Sequence, residues 1–295
     1  TSFSLGDRTR SFLKVQDGCD YKCTYCTIPQ ARGKSRSGTI SELIDNAKYL
    51  VSNGVKEIVL TGVNIGDYGI FDIKTKKRET SFYELISNIE MIAGLERVRI
   101  SSIEPNLLTD EIIDFVYQSS CFVRHFHIPL QSGSDKILRL MKRRYLRNLY
   151  FHRVEKIKEL MPYCCIGVDV IVGFPGETDE DFNDTYNFLR NLNISYLHVF
   201  SYSERDNTAS LHIKNKVPKK IRALRSKILR KLSNEKKENF YRLNLNKVRP
   251  VLFESKNYDG YIFGYTDNYI RVKTTWSKKL IDKIIDCKLV GIDDD

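Results

Sequence analysis

No apolar run in this sequence approaches the roughly 20 residues that a helix needs to cross a bilayer, which excludes that kind of membrane span. The first residues, Thr1 to Arg10, are polar and basic, with neither an apolar signal core nor a starting Met, so the chain reads as cytoplasmic and trimmed. A disulfide framework is missing too: seven cysteines is an odd number, and three of them fall within eight residues, which is metal-site usage in a reducing compartment. Histidine is scarce. His125, His127, His152, His198 and His212 form no ligand pair at helical spacing, so none is assigned to a metal.

What is present is an ordinary globular composition, 41% hydrophobic and 29% charged, in 295 residues, enough for one large domain plus a small one or for two ordinary domains. The net charge of +11 is concentrated: between Ile213 and Pro250 there are fourteen Lys and Arg against Glu235 and Glu238, as large a surplus as that of the whole chain. A stretch of this kind suits a polyanionic partner, the alternative being a solvated linker.

From Phe12 to about Phe200, short β-branched runs alternate with amphipathic stretches. Expected strands are 12–16, 57–61, 98–101, 125–128, 165–172 and 196–200, and expected helices 40–52, 81–93, 109–118, 148–160 and 180–192. Strand-helix alternation implies right-handed crossovers and a parallel sheet. Six units suit an α/β fold in the form of an incomplete (β/α)6 barrel. Beyond Ser210 a basic helix over 218–245 is expected, then four short strands, 251–254, 260–265, 269–273 and 284–292, which read as a small all-β barrel. The expected domains are a core over 1–212, a basic linker helix over 213–245 and a small barrel over 246–295.

Cys19, Cys23 and Cys26 are separated by three residues and then two. Three thiolates in one tight loop can hold three irons of a 4Fe-4S cube and leave the fourth open to an outside ligand. Zinc is the rival, but it wants a fourth ligand nearby, and no His or Cys follows within dozens of residues. Cys121, Cys164, Cys165 and Cys287 lack metal spacing and read as buried thiols.

The cysteine spacing, just after a first strand, resembles the radical S-adenosylmethionine (SAM) superfamily. The resemblance implies that SAM chelates the open iron and is cleaved to methionine and a 5′-deoxyadenosyl radical, with Tyr25 beside the adenine. Further motifs resemble the methylthiotransferases within it, and the loop Thr61-Gly62-Val63-Asn64-Ile65-Gly66-Asp67-Tyr68-Gly69 is closest to their MtaB branch, which acts on N6-threonylcarbamoyladenosine at position 37 of tRNA. On this resemblance the SAM contacts are Tyr25, Thr61, Gly62, Asn64, Ser102, Glu104, Gln131, Arg143, Gly173 and Phe174. Arg143 is the candidate for the SAM carboxylate, and adjacent Arg144 leaves that assignment open by one position. Ser201 and Asp206-Asn207 depart from the family pattern after the sixth strand.

The final segment resembles a TRAM domain, an OB-like RNA-binding barrel. Phe253, Tyr258, Tyr261, Phe263, Tyr265, Tyr269 and Trp276 interleave with Lys256, Arg271, Lys273, Lys278 and Lys279, a mixture suited to stacking bases while charges meet phosphates. The expectation is therefore a radical SAM tRNA methylthiotransferase that adds a methylthio group at carbon 2 of the adenosine. Expected cofactors are a 4Fe-4S cluster and SAM; expected partners are the tRNA anticodon loop and an electron donor, with the chain a monomer. Members of the family carry an N-terminal domain with an auxiliary cluster, and this chain is expected to lack it and so to perform SAM cleavage and RNA binding alone. Alternative substrates are an isopentenylated adenosine or a ribosomal-protein aspartate. From another class, the chain is an RNA-binding module with a structural cluster.

Overall fold

The computed structural model describes residues 2–4, 9–75 and 77–293. The chain opens with β1 (Ser2–Phe3), β2 (Arg10–Lys14), β3 (Gln16–Asp17), a short α1 (Ile28–Arg32) and β4 (Arg36–Ser37). Alternation follows: α2 (Ile40–Ser52), β5 (Glu57–Thr61), α3 (Phe82–Glu90), β6 (Arg97–Ile100), α4 (Asp110–Gln118), β7 (His125–His127), α5 (Asp135–Leu140), α6 (Arg147–Leu160), β8 (Cys165–Val172), α7 (Asp179–Asn191) and β9 (Tyr196–Ser201). A long α8 (Lys219–Asn244) leads to β10 (Val248–Phe253), β11 (Tyr261–Thr266), β12 (Arg271–Thr275) and β13 (Ile284–Lys288).

Local chemistry starts the helices. The hydroxyls of Thr39, Thr109 and Thr178 accept from the backbone N–H groups of Glu42, Ile112 and Asp181, satisfying donors that an unpaired first turn leaves open. The expected boundaries hold to within a few residues. Two helices were not expected: α1, five residues long with a Pro near its start, and α5, capped by Ser134 inside what reads as a loop motif.

Strands β2, β5 and β6 pair in parallel, as do β7, β8 and β9. Between the two groups, parallel bridges at Val98–Phe122 and Ser102–His127 close the seam, so six parallel strands run in chain order around an open barrel. Because side chains alternate along a strand, each strand has two faces. The outer face (Leu13, Ile58, Leu60, Val98, Ile100, Phe126, Ile166, Val168, Val170) merges with the helices into one core.

The opposite face lines the lumen, and it is polar. At the N-terminal ends of the strands Arg99 donates to Glu57 through Nε at 3.0 Å, with Arg97 beside them, and all three are almost fully buried. Burial works to raise the Glu57 pKa, but the charge and hydrogen bonds of Arg99 outweigh it and hold the carboxyl below its ordinary range. One layer further in, His125 Nε2 lies 3.3 Å from the Tyr196 hydroxyl. Gly167 makes room for that ring, since a Cβ there would sit 2.3 Å from the hydroxyl.

The C-terminal segment closes this end of the barrel. Its strands form an antiparallel sheet in the order β12-β11-β10-β13. Arg97 donates to the carbonyls of Pro250 and Tyr265, Arg99 lies 4.6 Å from the centre of the Tyr269 ring, and Arg10 lies 4.6 Å from that of Tyr265. Tyr265 and Tyr269, two of the aromatics interleaved with basic residues, stack on each other against the barrel. Phe253 is buried in the sheet's own core, whereas Tyr258 and Tyr261 are exposed under Lys256 and Lys273.

Helix α8, expected as a linker, packs on the barrel. Leu229 and Leu232 enter the main core, and the Ser233 hydroxyl donates to the Leu197 carbonyl and accepts from the Leu197 N–H. Two of its cations are spent inside the fold: Arg222 pairs with Glu204, and Arg225 with Glu177 and Asp179. No helix among the described residues is long and apolar enough to cross a membrane.

Removing one partner of a buried ion pair leaves a charge uncompensated, so Glu57→Gln is expected to cost about 3–5 kcal/mol, read as a lowered denaturation midpoint; an unchanged midpoint refutes the role given to the pair. His125 is buried, and desolvation, with Arg99 beside it, pushes its pKa well below the ordinary 6.5. The unfolded chain therefore binds a proton that the folded chain refuses, so this residue makes stability fall as pH drops below about 6.5. Denaturation of wild type and His125→Phe across pH 5–7.5 checks this, with the smaller pH dependence expected in the variant.

Candidate metal centre

The loop after β2 and β3 carries Cys19, Cys23 and Cys26, all three half-buried free thiols. The backbone shapes it. Gly18 has φ +71°, and a Cβ there would lie 2.0 Å from the Lys34 carbonyl oxygen, so only glycine lets the chain turn into the loop. Asp17 anchors the approach through Arg32 and Arg36 at 2.8 and 2.9 Å. Burial works against its ionisation, but these partners and the Gly18 N–H bring its pKa down to about 2. Met141 and Leu140, at the end of α5, receive the Thr24 N–H and hydroxyl at 3.1 and 2.9 Å, fixing the loop from the opposite side.

Arg143 is the electrostatic centre. Its guanidinium donates to Cys23 Sγ at 3.2 Å, to the Tyr25 hydroxyl at 3.3 Å and to the Tyr145 hydroxyl at 3.1 Å, and it forms an ion pair with Glu104. Of the two adjacent arginines, Arg143 faces the cysteine loop and Arg144 lies over the Tyr21 ring at 4.0 Å. Beyond Tyr25 an aromatic row continues edge-on through Phe174 to Tyr202.

The remaining expected residues sit at the C-terminal ends of the same strands, where parallel α/β folds place their sites. Gly62 and Asn64 follow β5. The Asn64 N–H donates to Gln16 Oε1 at 2.8 Å, while Gln16 Nε2 donates to the Gly18 carbonyl at 2.8 Å and to Ser35 Oγ at 3.0 Å. Gln16 thus braces the cysteine loop to the β5 loop, a role no motif announced. The Asn64 side chain is buried with neither Oδ1 nor Nδ2 hydrogen-bonded. Thr61 ends β5 and its carbonyl accepts from Val15, Ser102 bridges to His127, and Gln131, at φ +68°, bridges to Val170. Gly173, at φ +73°, donates its N–H to Glu177 Oε1. The structure therefore links Tyr25, Glu104, Arg143 and Phe174 directly to the cysteine loop and sets the others around the same rim.

The donor set fits an iron-sulfur cluster better than a single ion. A tetrahedral zinc site places its sulfurs about 3.8 Å apart, given Zn–S bonds of about 2.3 Å. Among the described residues the trio whose ligand atoms all lie within 4.8 Å of one another is His127, Asp169 and His198, and the cysteines are not such a trio. Three sulfurs that do not converge on one point are compatible with a cube in which each thiolate takes its own iron. Burial and mutual repulsion push the Cys19 thiol up to about 11 and raise that of Cys23. Metal ligation, which replaces the protons, removes that penalty.

Comparison with known proteins bears on this geometry. The profile of the Radical SAM superfamily matches residues 13–189. The chain belongs to the radical SAM superfamily. It is 39% identical over 96% of its length to the threonylcarbamoyladenosine tRNA methylthiotransferase MtaB of Bacillus subtilis, of which it covers 63%, and 36% identical over 99% to that of Rickettsia prowazekii, of which it covers 67%. It is 37% identical over 95% to a tRNA-2-methylthio-N(6)-dimethylallyladenosine synthase of Clostridium tetani, covering 62% of it. The chain thus spans about two thirds of the length of these curated relatives. Among solved structures, coproporphyrinogen III oxidase HemN of Escherichia coli superposes with a TM-score of 0.51 at 16% identity, over 74% of this chain and 50% of that one, which shows the shared fold.

The sequence reading missed Gln16 and the lumen trio. Gln16 acts through contacts 48 residues apart, and the trio comes from three strands, whose pairing no helical spacing rule detects. Gly18→Ala is expected to lower the iron retained per chain after anaerobic reconstitution, while secondary structure by circular dichroism is kept. Full iron loading in that variant overturns the account of the loop.

Proposed function

We propose that this chain forms the SAM-cleaving and RNA-binding part of a tRNA methylthiotransferase that modifies carbon 2 of N6-threonylcarbamoyladenosine at position 37. The observation that carries it is Arg143, set between Cys23 of the three-cysteine loop and Glu104 at the mouth of a parallel barrel. The kinship with MtaB proteins supports the substrate. A dimethylallyladenosine tRNA is the second reading, supported by the relative from Clostridium tetani at nearly the same identity.

Cys19, Cys23 and Cys26 would hold a 4Fe-4S cluster, which when bound and reduced would supply the electron for SAM cleavage. The chain's own residues receive that substrate. Arg143, kept charged by its acidic and phenolic neighbours, takes the carboxylate, and an arginine fork suits two parallel hydrogen bonds to it. Asn64 offers an amide without another partner, Ser102 and Glu104 take hydroxyl groups, and Thr61, Gly62, Gln131 and Gly173 contribute backbone and rim contacts. Tyr25 and Phe174 pack against the adenine and exclude water.

The working division is a radical SAM core over 1–212, a basic helix over 213–245 and a TRAM-like module over 246–295. In the last, exposed Tyr258 and Tyr261 beside Lys256 and Lys273 meet the anticodon region. The protein acts in the cytoplasm as a monomer and draws on an electron donor. The inserted sulfur comes from outside these residues: Cys121, Cys164 and Cys165 are buried in the fold, and Cys287 lies on a strand of the C-terminal sheet.

Cys23→Ala is expected to abolish 5′-deoxyadenosine formation by reduced, reconstituted protein while tRNA affinity stays unchanged, because charge and cluster lie in different segments. Equal loss of both refutes the separation. Mass spectrometry of tRNA nucleosides from cells lacking the protein tests the substrate: loss of the methylthio group from threonylcarbamoyladenosine alone is expected, and loss from the dimethylallyl nucleoside instead favours the second reading.

A further inference from the structure

Below the cysteine loop, the lumen carries a group of side chains that the functions above leave unused. His127, Asp169 and His198 come from the neighbouring parallel strands β7, β8 and β9. Asp169 and His198 are direct register partners, and His127 stands opposite Gly167, two residues before Asp169, so all three project from the same face of the sheet. Their ligand atoms all lie within 4.8 Å of one another. His127 Nε2 is 2.8 Å from Asp169 Oδ1, and the two imidazoles stack with centroids 5.3 Å apart. Tyr196 meets His198 edge-on at 5.1 Å, which orients that ring.

The electrostatics call for a cation. Among the described residues no Lys or Arg pairs with Asp169, whose side-chain hydrogen-bond partner is the imidazole of His127. The two lumen arginines of the neighbouring layers pair in this structure with other carboxylates, Arg99 with Glu57 and Arg143 with Glu104. The charge of Asp169 also reaches Glu104, where it adds to the effect of burial in raising that carboxyl's pKa. Two imidazole nitrogens and one carboxylate oxygen, converging from rigid strands, are a ligand set for zinc or ferrous iron, whereas magnesium and calcium prefer oxygen alone.

We propose that His127, Asp169 and His198 form a binding site for a divalent transition-metal ion of the zinc or ferrous class, separate from the three cysteines. With three protein ligands the ion keeps open positions, as in exchangeable sites and unlike closed structural ones.

The test is an anaerobic titration of the full chain, with Cys19, Cys23 and Cys26 changed to Ala, using Co²⁺ as an absorbing probe. The expected result is one Co²⁺ per chain, with weak visible bands, no intense thiolate-to-metal band, and displacement by Zn²⁺. His198→Ala and Asp169→Asn should each weaken binding by about a hundredfold or more, since even outer-shell changes cost 10–100-fold. His198 contributes ring contacts alone, so its variant is expected to keep the fold, checked by its melting curve. The same titration of the cysteine-intact apo chain should show this site as an additional Co²⁺ that His198→Ala and Asp169→Asn each remove. Absence of stoichiometric binding, a thiolate band in the chain lacking Cys19, Cys23 and Cys26, or equal affinity in the variants overturns the proposal and leaves the His127–Asp169 contact as a structural hydrogen bond.

Discussion

Six parallel strands curved into an open barrel expose an inner face that must be satisfied without the packed layers of a closed one. In this protein the solution is polar, and it is layered along the barrel axis. At one end a buried carboxylate is held between two arginines, in the middle an imidazole meets a phenol, and at the other end an arginine faces three thiols. Each layer needs its partners because an unpaired charge in such surroundings is far more costly than one in water. The C-terminal sheet belongs to this arrangement: its tyrosines and carbonyls complete the coordination of Arg97 and Arg99.

The same constraint gives the two ends different characters. The closed end is buried and cross-linked by ion pairs, which suits a foundation, although Arg99 Nη1 and His125 Nδ1 find no hydrogen-bond partner there among the described residues. At the open end several groups lack partners, notably the Asn64 amide, and the cysteines have their proton affinities raised by burial. Polar groups held without partners by a rigid surrounding are where a ligand gains most, since the cost of positioning them has been met by the fold.

Much of this was legible in the sequence, for identifiable reasons. The strands announced themselves by β-branched runs and the helices by capping threonines, because both signals are local. The cysteine loop was legible because its three ligands are contiguous. The lumen trio was not: strand side chains meet across a ladder, and nothing within one strand shows which residue will stand opposite. The aromatics of the last segment divided in a way that composition could not foretell, with Tyr265 and Tyr269 turned to the barrel and Tyr258 and Tyr261 turned to solvent. The basic stretch was read as free charge, yet Arg222 and Arg225 had internal partners beyond the range of any local rule.

Those two arginines bear on how the chain meets any polyanion. A cation already neutralised by Glu204 or Glu177 has no phosphate to find and frees no condensed counterion when a nucleic acid binds. The formal charge of the segment therefore overstates its electrostatic reach. For any such partner, ionic strength would weaken association less steeply than fourteen cations imply, and the Lys and Arg side chains that remain at the surface would set the slope.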